Sequence, residues 1–227
     1  MNDEYIPKMA IIVYQQKNDS NSDTSIYLER RSIRNGKFGA GAPLTHKCIG
    51  SIMSNLTKLN DDLDYGIHGT IPDNLLYNDT RAGRIKLIWY RKPEKRKVYF
   101  KKGLGIPDGD MQVPGLLYVV NNDKLALYAF KGNKPKSKLY RAPFMNVNSE
   151  YVCLGSAKVT KPKNCTYNEI IEYWEKMFWN SEFSHILGPN PINGNLATIT
   201  KQNIISGDPF PIEVLLPIKE KLSDFLR

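Results

Sequence analysis

The sequence predicts an α+β protein in which an antiparallel β-meander packs against helices on one side. Short runs of β-forming residues cluster between residues 85 and 130, and helical periodicity flanks this cluster on both sides. The chain has 227 residues, of which 41% are hydrophobic and 24% are charged. A chain of this length and composition can bury a core without disulfide or metal staples, which excludes disordered, collagen-like and coiled-coil classes.

Charge and cysteine content bear on the functional class. Lys and Arg number 32 against 23 Asp and Glu, which gives a net charge of +9. This excess favours acidic partners such as nucleic acid, an anionic membrane surface or an acidic protein, although a solvated lysine-rich surface explains it as well. The three cysteines, Cys48, Cys153 and Cys165, are odd in number and far apart. They exclude a disulfide scaffold and favour a reducing compartment.

The sequence contains no pattern typical of a membrane or secretory route. No stretch approaches the roughly 18 consecutive apolar residues of a membrane span. The acidic start at residues 1–4 is not followed by an apolar run, unlike a signal peptide. We therefore expect a cytoplasmic protein.

The N-terminal region predicts a β-hairpin extension over residues 1–35. Runs of β-forming residues at 9–14 and 26–28 are separated by a polar cluster at 18–25, an order typical of two strands joined by a turn. The rest of the chain, 36–227, contains no convincing linker. We expect it to form one domain.

This domain is expected to open with a glycine-rich turn at 36–41 and a helix at 43–59. Pro43 suits a first helical turn, where its missing N–H costs nothing. Apolar residues recur at three- and four-residue steps and define one helix face. They are Leu44, Cys48, Ile49, Ile52, Met53 and Leu56. Cys48 is then most simply a small core residue.

The β-meander is predicted for the middle of the chain. Extended runs at 85–90, 97–100 and 115–130 follow a loop at 60–83. The last run folds on itself at 121–124, where Asn-Asn-Asp-Lys is a strong turn signal. These runs predict three or four antiparallel strands.

An irregular segment separates the meander from the next helix. Residues 131–162 lack periodicity, and such a stretch in a compact domain usually forms a functional loop. Thr166 and Glu169 have the spacing of a capping box, so a helix is expected over 167–180. A short terminal helix is expected over 217–226.

The irregular loop contains a motif of known type, since Asn146-Val147-Asn148-Ser149 leads into Val152-Cys153-Leu154. This pattern resembles ubiquitin-conjugating enzymes, in which a His-Pro-Asn tripeptide precedes an Ile/Val-Cys-Leu active site. The run at 139–147, the Val-Cys-Leu-Gly segment at 152–155 and the later His185 make it more similar still to a prokaryotic branch, the PRTRC system protein B family. The resemblance covers roughly residues 36–190.

The resemblance implies a ubiquitin-conjugating-enzyme-like core and thioester chemistry. Cys153 would be the nucleophile, because a thiolate attacks an acyl group and later releases it to an amine. A buried structural cysteine is the alternative. Tyr140, Pro143 and Leu154 would shape a groove for the extended tail of the protein that is carried.

Two further residues are candidates for catalysis. The side-chain amide of Asn146 could hydrogen-bond the oxyanion of acyl transfer or tie the loop together, and the sequence favours neither role. His185 could deprotonate the incoming amine or perturb the thiol, or could be a solvated or core histidine. His46 and His68 have no supporting context. Cys165 precedes a helix cap, which explains it more simply than a resolving thiol does.

By this resemblance the protein is a ubiquitin-conjugating-like transferase of a prokaryotic ubiquitin-like modification system. Its partners would be a ubiquitin-like modifier, an ATP-using adenylating enzyme and a target that offers an amine, most simply a lysine. The same system could include a metalloprotease of the deubiquitinating type. The protein itself would need no metal or nucleotide cofactor, in agreement with the lack of a phosphate-binding glycine loop or ligand cluster in the sequence. No membrane partner is expected.

Three alternatives stay open. The same fold could serve as a non-catalytic interaction module with a vestigial Cys153. The basic run at 91–97, expected at a hairpin tip, could contact nucleic acid through Lys95, Arg96 and Lys97, although no helix-turn-helix or paired aromatics accompany it. A thiol protease using Cys153 and His185 has no supporting signature.

Overall fold

The computed structural model describes most of the chain, which forms two compact units. The described residues are 6–15, 26–59, 66–80, 85–148, 150–155 and 157–227. The two units are Met1–Leu63 and Asp64–Arg227. In the described part of the chain, no helix combines the length and the apolar character needed to cross a bilayer.

The first unit is a three-stranded antiparallel sheet followed by a helix. The strands are β1 (Met9–Gln15), β2 (Ile26–Arg34) and β3 (Lys37–Pro43), and the helix is α1 (His46–Leu59). β1 and β2 pair as the predicted hairpin requires, from Met9 opposite Ser32 to Gln15 opposite Ile26. The turn predicted at 18–25 lies outside the described residues.

The prediction of a glycine-rich turn at 36–41 was wrong, since most of this segment belongs to β3. Only Asn35 and Gly36 form the turn, both with positive φ (49° and 73°), which is the conformation that a tight hairpin turn requires. Inside β3, Gly41 leaves space for a neighbour, because a Cβ there would overlap the carboxylate of Glu29 on β2. The first unit therefore contains more than a hairpin.

α1 begins later than predicted and its N-terminal half is not deeply buried. Pro43 ends β3, and the helix begins at His46, where the Thr45 hydroxyl accepts a hydrogen bond from the Cys48 backbone N–H (3.3 Å). Cys48 is half-buried and Ile49 is 38% exposed. Cys48 is therefore not the core residue that the sequence suggested.

The second unit combines a six-stranded sheet, a three-stranded sheet and helices. In chain order its elements are β4 (Leu75–Asp79), β5 (Lys86–Arg91), β6 (Glu94–Phe100), β7 (Gly109–Val113), β8 (Gly115–Asn121), β9 (Lys124–Phe130), β10 (Lys138–Arg141), α2 (Tyr167–Trp179), β11 (Glu182–Phe183), α3 (Leu196–Ser206), β12 (Pro217–Lys221) and α4 (Leu222–Phe225). The large sheet is antiparallel, in the order β12-β10-β9-β8-β5-β4. The predicted α+β class with an antiparallel sheet is confirmed.

The large sheet is buried on both faces. β8 and β9 form the predicted hairpin around residues 122–123. Because successive side chains of a strand point to opposite faces, Tyr118 joins a large core that includes the apolar side of α2, whereas Leu117 and Tyr128 join a smaller core. The short helix α4 covers that second face, with Phe225 and Tyr128 rings 4.7 Å apart. The prediction that helices pack on only one side of the sheet was therefore wrong.

The run at 97–100 was wrongly expected in the same meander. It belongs to β6, which pairs antiparallel with β7 and parallel with the short β11. The chain leaves the large sheet after β5 and returns with β8, so that β5 and β8 are neighbours. Val98 and Phe100 in β6 are buried. Because the alternation of buried and exposed residues is the same in any sheet, it does not tell which sheet a strand joins.

The terminal helix predicted over 217–226 was also wrong in its first half. Residues 217–221 form β12 beside β10, and only Leu222–Phe225 is helical. Ile218 packs against the smaller core while its neighbours Pro217 and Lys219 are exposed. β4 and β10 likewise lie within segments expected to be loops, at 60–83 and 131–162.

α2 begins with the predicted capping box, which is confirmed. The Thr166 hydroxyl accepts a hydrogen bond from the Glu169 N–H (3.3 Å), and the Glu169 carboxylate accepts one from the Thr166 N–H (2.7 Å). Hydrogen bonds from the backbone and hydroxyl of Thr166 lower the pKa of Glu169 from its ordinary value of 4.5.

Thr166→Ala is expected to lower the free energy of unfolding by about 1 kcal/mol, because an N–H of the first turn loses its acceptor.

The Glu169 carboxylate adds stability that is present above its unfolded pKa of about 4.5 and is lost as the pH falls through its lower folded pKa. Urea unfolding of wild type and Glu169→Gln at pH 7 and pH 3 checks this. The difference between the two proteins should shrink at pH 3, and a difference independent of pH would contradict the assignment.

Glu175 joins α2 to both sheets. The residue is 4% exposed. Its carboxylate accepts hydrogen bonds from Trp89 Nε1 (2.9 Å), Arg91 Nε (2.7 Å) and Arg96 Nη2 (3.0 Å). Arg91 ends β5 and Arg96 lies within β6. The prediction of a hairpin tip at 91–97 was wrong, because β5 and β6 lie in different sheets. Arg91 and Arg96 hold a buried carboxylate, whereas Lys92, Lys95 and Lys97 are exposed.

Candidate functional site

Cys153 lies at one end of the large sheet, in a loop fixed by backbone hydrogen bonds. Val147 and Val152 form an antiparallel bridge, the Val152 N–H donates to the Leu125 carbonyl (2.7 Å), and the Cys153 N–H donates to the Asn146 carbonyl (2.8 Å). Leu125 is the second residue of β9. The loop that carries the thiol is thus attached to the rigid β8–β9 hairpin.

The environment of Cys153 differs from that of Cys165. Cys153 is half-buried, whereas Cys165 is 5% exposed and belongs to the large core. The chain turns away directly after Cys153, because the Ala157 N–H donates to the Leu154 carbonyl (3.2 Å) and Gly155 has a φ of +55°, which favours glycine. Leu154 packs against the large core. A thiol in this position combines a fixed backbone with partial access to solvent.

Asn146 is buried and its side chain is engaged with backbone groups. The residue is 1% exposed. Its Nδ2 donates to the Glu182 carbonyl (2.9 Å), and its Oδ1 accepts from the Ser184 N–H (3.0 Å). The amide thus ties the cysteine loop to β11 and to the residues that follow it.

His185 is exposed and lies next to this tie. The Ser184 hydroxyl and His185 Nδ1 are 2.9 Å apart, and the direction of their hydrogen bond depends on the imidazole tautomer. Asn146 connects the two candidates, because it contacts Cys153 through its carbonyl and Ser184 through its side chain. Ser184 was not singled out from the sequence, where only its position beside His185 could have indicated it.

The other histidines lie elsewhere. His68 is exposed, with its Nε2 3.3 Å from the Asn164 carbonyl. It forms a parallel β-bridge with Thr166, the residue that caps α2. His46 begins α1 in the first unit.

Two of the expected groove residues are buried. Tyr140 lies in β10 at 9% exposure, with the ammonium groups of Lys131 and Lys138 5.0 and 5.5 Å from its ring centre. Pro143 is buried as well, whereas Leu154 is half-buried.

A small cleft lies beside the cysteine loop, and we call it the proline cleft. It has a volume of about 60 Å³, and its lining includes Arg141, Ala142, Val147, Leu187, Pro189 and Pro191. None of these residues was singled out for binding from the sequence. The last three belong to the segment 187–191, which contacts the cysteine loop through the Leu187 N–H and the Met145 carbonyl (2.9 Å).

The described residues do not bring together three or more His, Cys, Asp or Glu side chains in a group that could hold a metal ion.

Comparisons with known proteins identify the family. No curated protein and no solved structure matches the chain. The model of one family, described as prokaryotic E2 family D, matches residues 51–218, which is well over half of the chain. Membership of an E2-like family implies a conjugating-enzyme-like role that involves a ubiquitin-like modifier and an activating enzyme in general. The α+β fold with antiparallel sheets is in keeping with this match, and the chain belongs to prokaryotic E2 family D.

Proposed function

We propose that this protein carries a ubiquitin-like modifier as a thioester on Cys153 and passes it to an amine, most simply a lysine, on a target protein. The observation that supports this most directly is a half-buried cysteine held between two backbone hydrogen-bonded segments at the end of a sheet, within a chain of an E2-like family. Kinship with the PRTRC branch is part of the same proposal.

The chemistry has two acyl transfers. The Cys153 thiolate attacks the C-terminal carbonyl carbon of the activated modifier, a new C–S bond forms, and the bond to the activating enzyme breaks. An incoming amine then attacks the same carbon, a C–N bond forms, and the Cys153 thiolate leaves. The amine loses a proton in the second step, and we assign its acceptance to His185.

Asn146 is assigned a positioning role in this scheme. Its side chain already serves the Glu182 carbonyl and the Ser184 N–H, and its own carbonyl holds the Cys153 N–H. A residue with these contacts fixes the spacing between the thiol loop and the loop that bears His185.

The direct test mixes the protein with an adenylating enzyme and a ubiquitin-like protein encoded in the same gene neighbourhood, with ATP. The expected result is a covalent adduct whose mass equals the sum of the two proteins less one water, and which disappears on adding a thiol reductant. If ATP-loaded activating enzyme forms its own thioester and this protein forms none, the proposed function fails.

Asn146→Ala is expected to lower the free energy of unfolding by about 1 kcal/mol, because the Ser184 N–H and the Glu182 carbonyl, both part-buried, lose their partners. Thioester formation should slow in parallel. Asn146→Asp should keep the hydrogen bond from the Ser184 N–H and lose the one to the Glu182 carbonyl. Urea unfolding and adduct formation rates measure both effects. Asn133→Ala, at an exposed position, is the matched control. Slow acylation with wild-type stability would instead assign Asn146 to the oxyanion.

A further inference from the structure

The proline cleft has two walls that are fixed to each other. One wall is the cysteine loop and the strand before it, and the other is the segment 187–191. The Leu187 N–H donates to the Met145 carbonyl (2.9 Å), and Arg141 Nη1 donates to the Asn190 carbonyl (3.2 Å). Because these contacts are made within the protein itself, the cleft exists before any ligand arrives and costs little ordering on binding.

The cleft lies within a few residues' reach of the thiol. Val147 lines it and forms an antiparallel bridge with Val152, the residue before Cys153. Paired residues in an antiparallel bridge have Cα atoms roughly 5 Å apart, and an extended chain advances about 3.3 Å per residue. A tail whose terminal carbonyl is at the thiol therefore reaches the cleft with a residue two or three positions earlier.

The lining and the size of the cleft select the kind of side chain. Its walls are mainly aliphatic or proline side chains, with Arg141 and Asn148 as the polar members. An engineered apolar cavity of about 150 Å³ accommodates benzene, so a volume of about 60 Å³ suits a smaller group, such as the side chain of Val or Leu. A carboxylate would lose hydration in such a site, where Arg141 is the one charged residue among the described residues of the lining.

We propose that the proline cleft receives one aliphatic side chain of the modifier's tail, two or three residues before the terminal carbonyl that becomes attached to Cys153. This inference rests on the proposed function. The side chain anchors the tail so that the carbonyl carbon stays near the sulfur, and the cleft thereby selects among modifiers by one residue near the C-terminus.

The test uses synthetic N-acetyl tetrapeptide thioesters as the probe, so that neither modifier nor activating enzyme is needed. One position carries Leu, Ala or Asp, the others carry Gly, and the variable residue is placed second, third or fourth from the C-terminal end. Acylation forms the bond from Cys153 Sγ to the acyl carbon and releases the peptide's own thiol with the cysteine proton. Intact mass and peptide mapping give the rate at Cys153. Leu third or fourth from the end should react roughly 10-fold faster than Ala, and Asp should be slowest.

Leu187→Ala tests the cleft itself, and Ile186→Ala is the matched control, because Ile186 is the neighbouring residue, is 43% exposed and does not line the cleft. Leu187→Ala should reduce the Leu-over-Ala preference to within about twofold. Ile186→Ala should leave this preference unchanged.

The outcomes separate the inference from the function on which it rests. Acylation of Cys153 in wild type with no preference for Leu, or a preference for Asp, would overturn the inference and leave the proposed function standing. A Leu preference that survives Leu187→Ala would also overturn it. If no peptide acylates Cys153 while glutathione is acylated in the same mixture, the inference fails, and the assay with the activating enzyme decides the proposed function separately. The wild-type peptide series decides the question even if Leu187→Ala does not fold.

Discussion

Cys153→Ala is expected to abolish the covalent adduct with the modifier, whereas Cys153→Ser should yield an adduct that resists reductant and is cleaved by alkali. The physical reason is that alanine has no nucleophile, while serine forms an oxyester, which thiols do not exchange. Because Cys153 is half-buried and both replacements are small, we expect the melting temperature to change little. Denaturing gels with and without reductant, together with intact mass, measure the result.

The other two cysteines provide matched controls. Cys48→Ser and Cys165→Ala should both retain the reductant-sensitive adduct, since Cys165 is 5% exposed in the core and Cys48 lies in the first unit. Cys165→Ala should lower stability through the small cavity it leaves. An adduct that persists in Cys153→Ala and is lost in Cys48→Ser would transfer the nucleophile to Cys48 and refute the assignment.

Glu175→Ala is expected to lower the free energy of unfolding by about 3–5 kcal/mol, because removing one member of a buried ionic group leaves the others uncompensated. Trp89, Arg91 and Arg96 all lose an acceptor in this variant. The side chains of Arg91 and Arg96 are 35% and 26% exposed, so water can hydrate the two guanidinium groups in the variant. We therefore expect a loss of stability near the lower end of this range. Urea unfolding at pH 7 gives the measurement.

Glu172→Ala is the control for this variant, since Glu172 lies on the same helix and forms an exposed pair with Lys176 (3.0 Å). Such a pair contributes about 0.3–0.5 kcal/mol. Glu175→Gln should fall between the two, because it keeps an acceptor for Trp89 and loses the charge. Equal stability of Glu175→Ala and Glu172→Ala would show that the carboxylate is not what holds α2 to the sheets.

The elements that the sequence predicted well depend on local chemistry. The turn at 122–123 and the capping box of Thr166 and Glu169 involve neighbours a few residues apart, and both are present. Asn146, Cys153 and His185 were identified by resemblance, and the link between them through Ser184 depends on a contact across 38 residues. Such a contact leaves no periodicity in the sequence.

The elements that the sequence misplaced depend on distant pairing. β6 has the alternation of a strand, but its partners are β7 and β11. All five residues of β12 were predicted as helix, because a pattern over so short a span fits either period. The proline cleft could not be predicted, since its walls lie more than 40 residues apart at the two contacts that join them, one backbone hydrogen bond and one arginine contact.

The burial of β8 and β9 on both faces has an evolutionary consequence. A strand with one wet side can accept new polar residues there, but these two strands offer no such side between their ends. Drift in the centre of the unit is therefore restricted to exchanges among apolar residues of similar volume. New recognition targets must then be accommodated by the connections at the two ends of these strands. The segment that carries Cys153 lies at one of these ends.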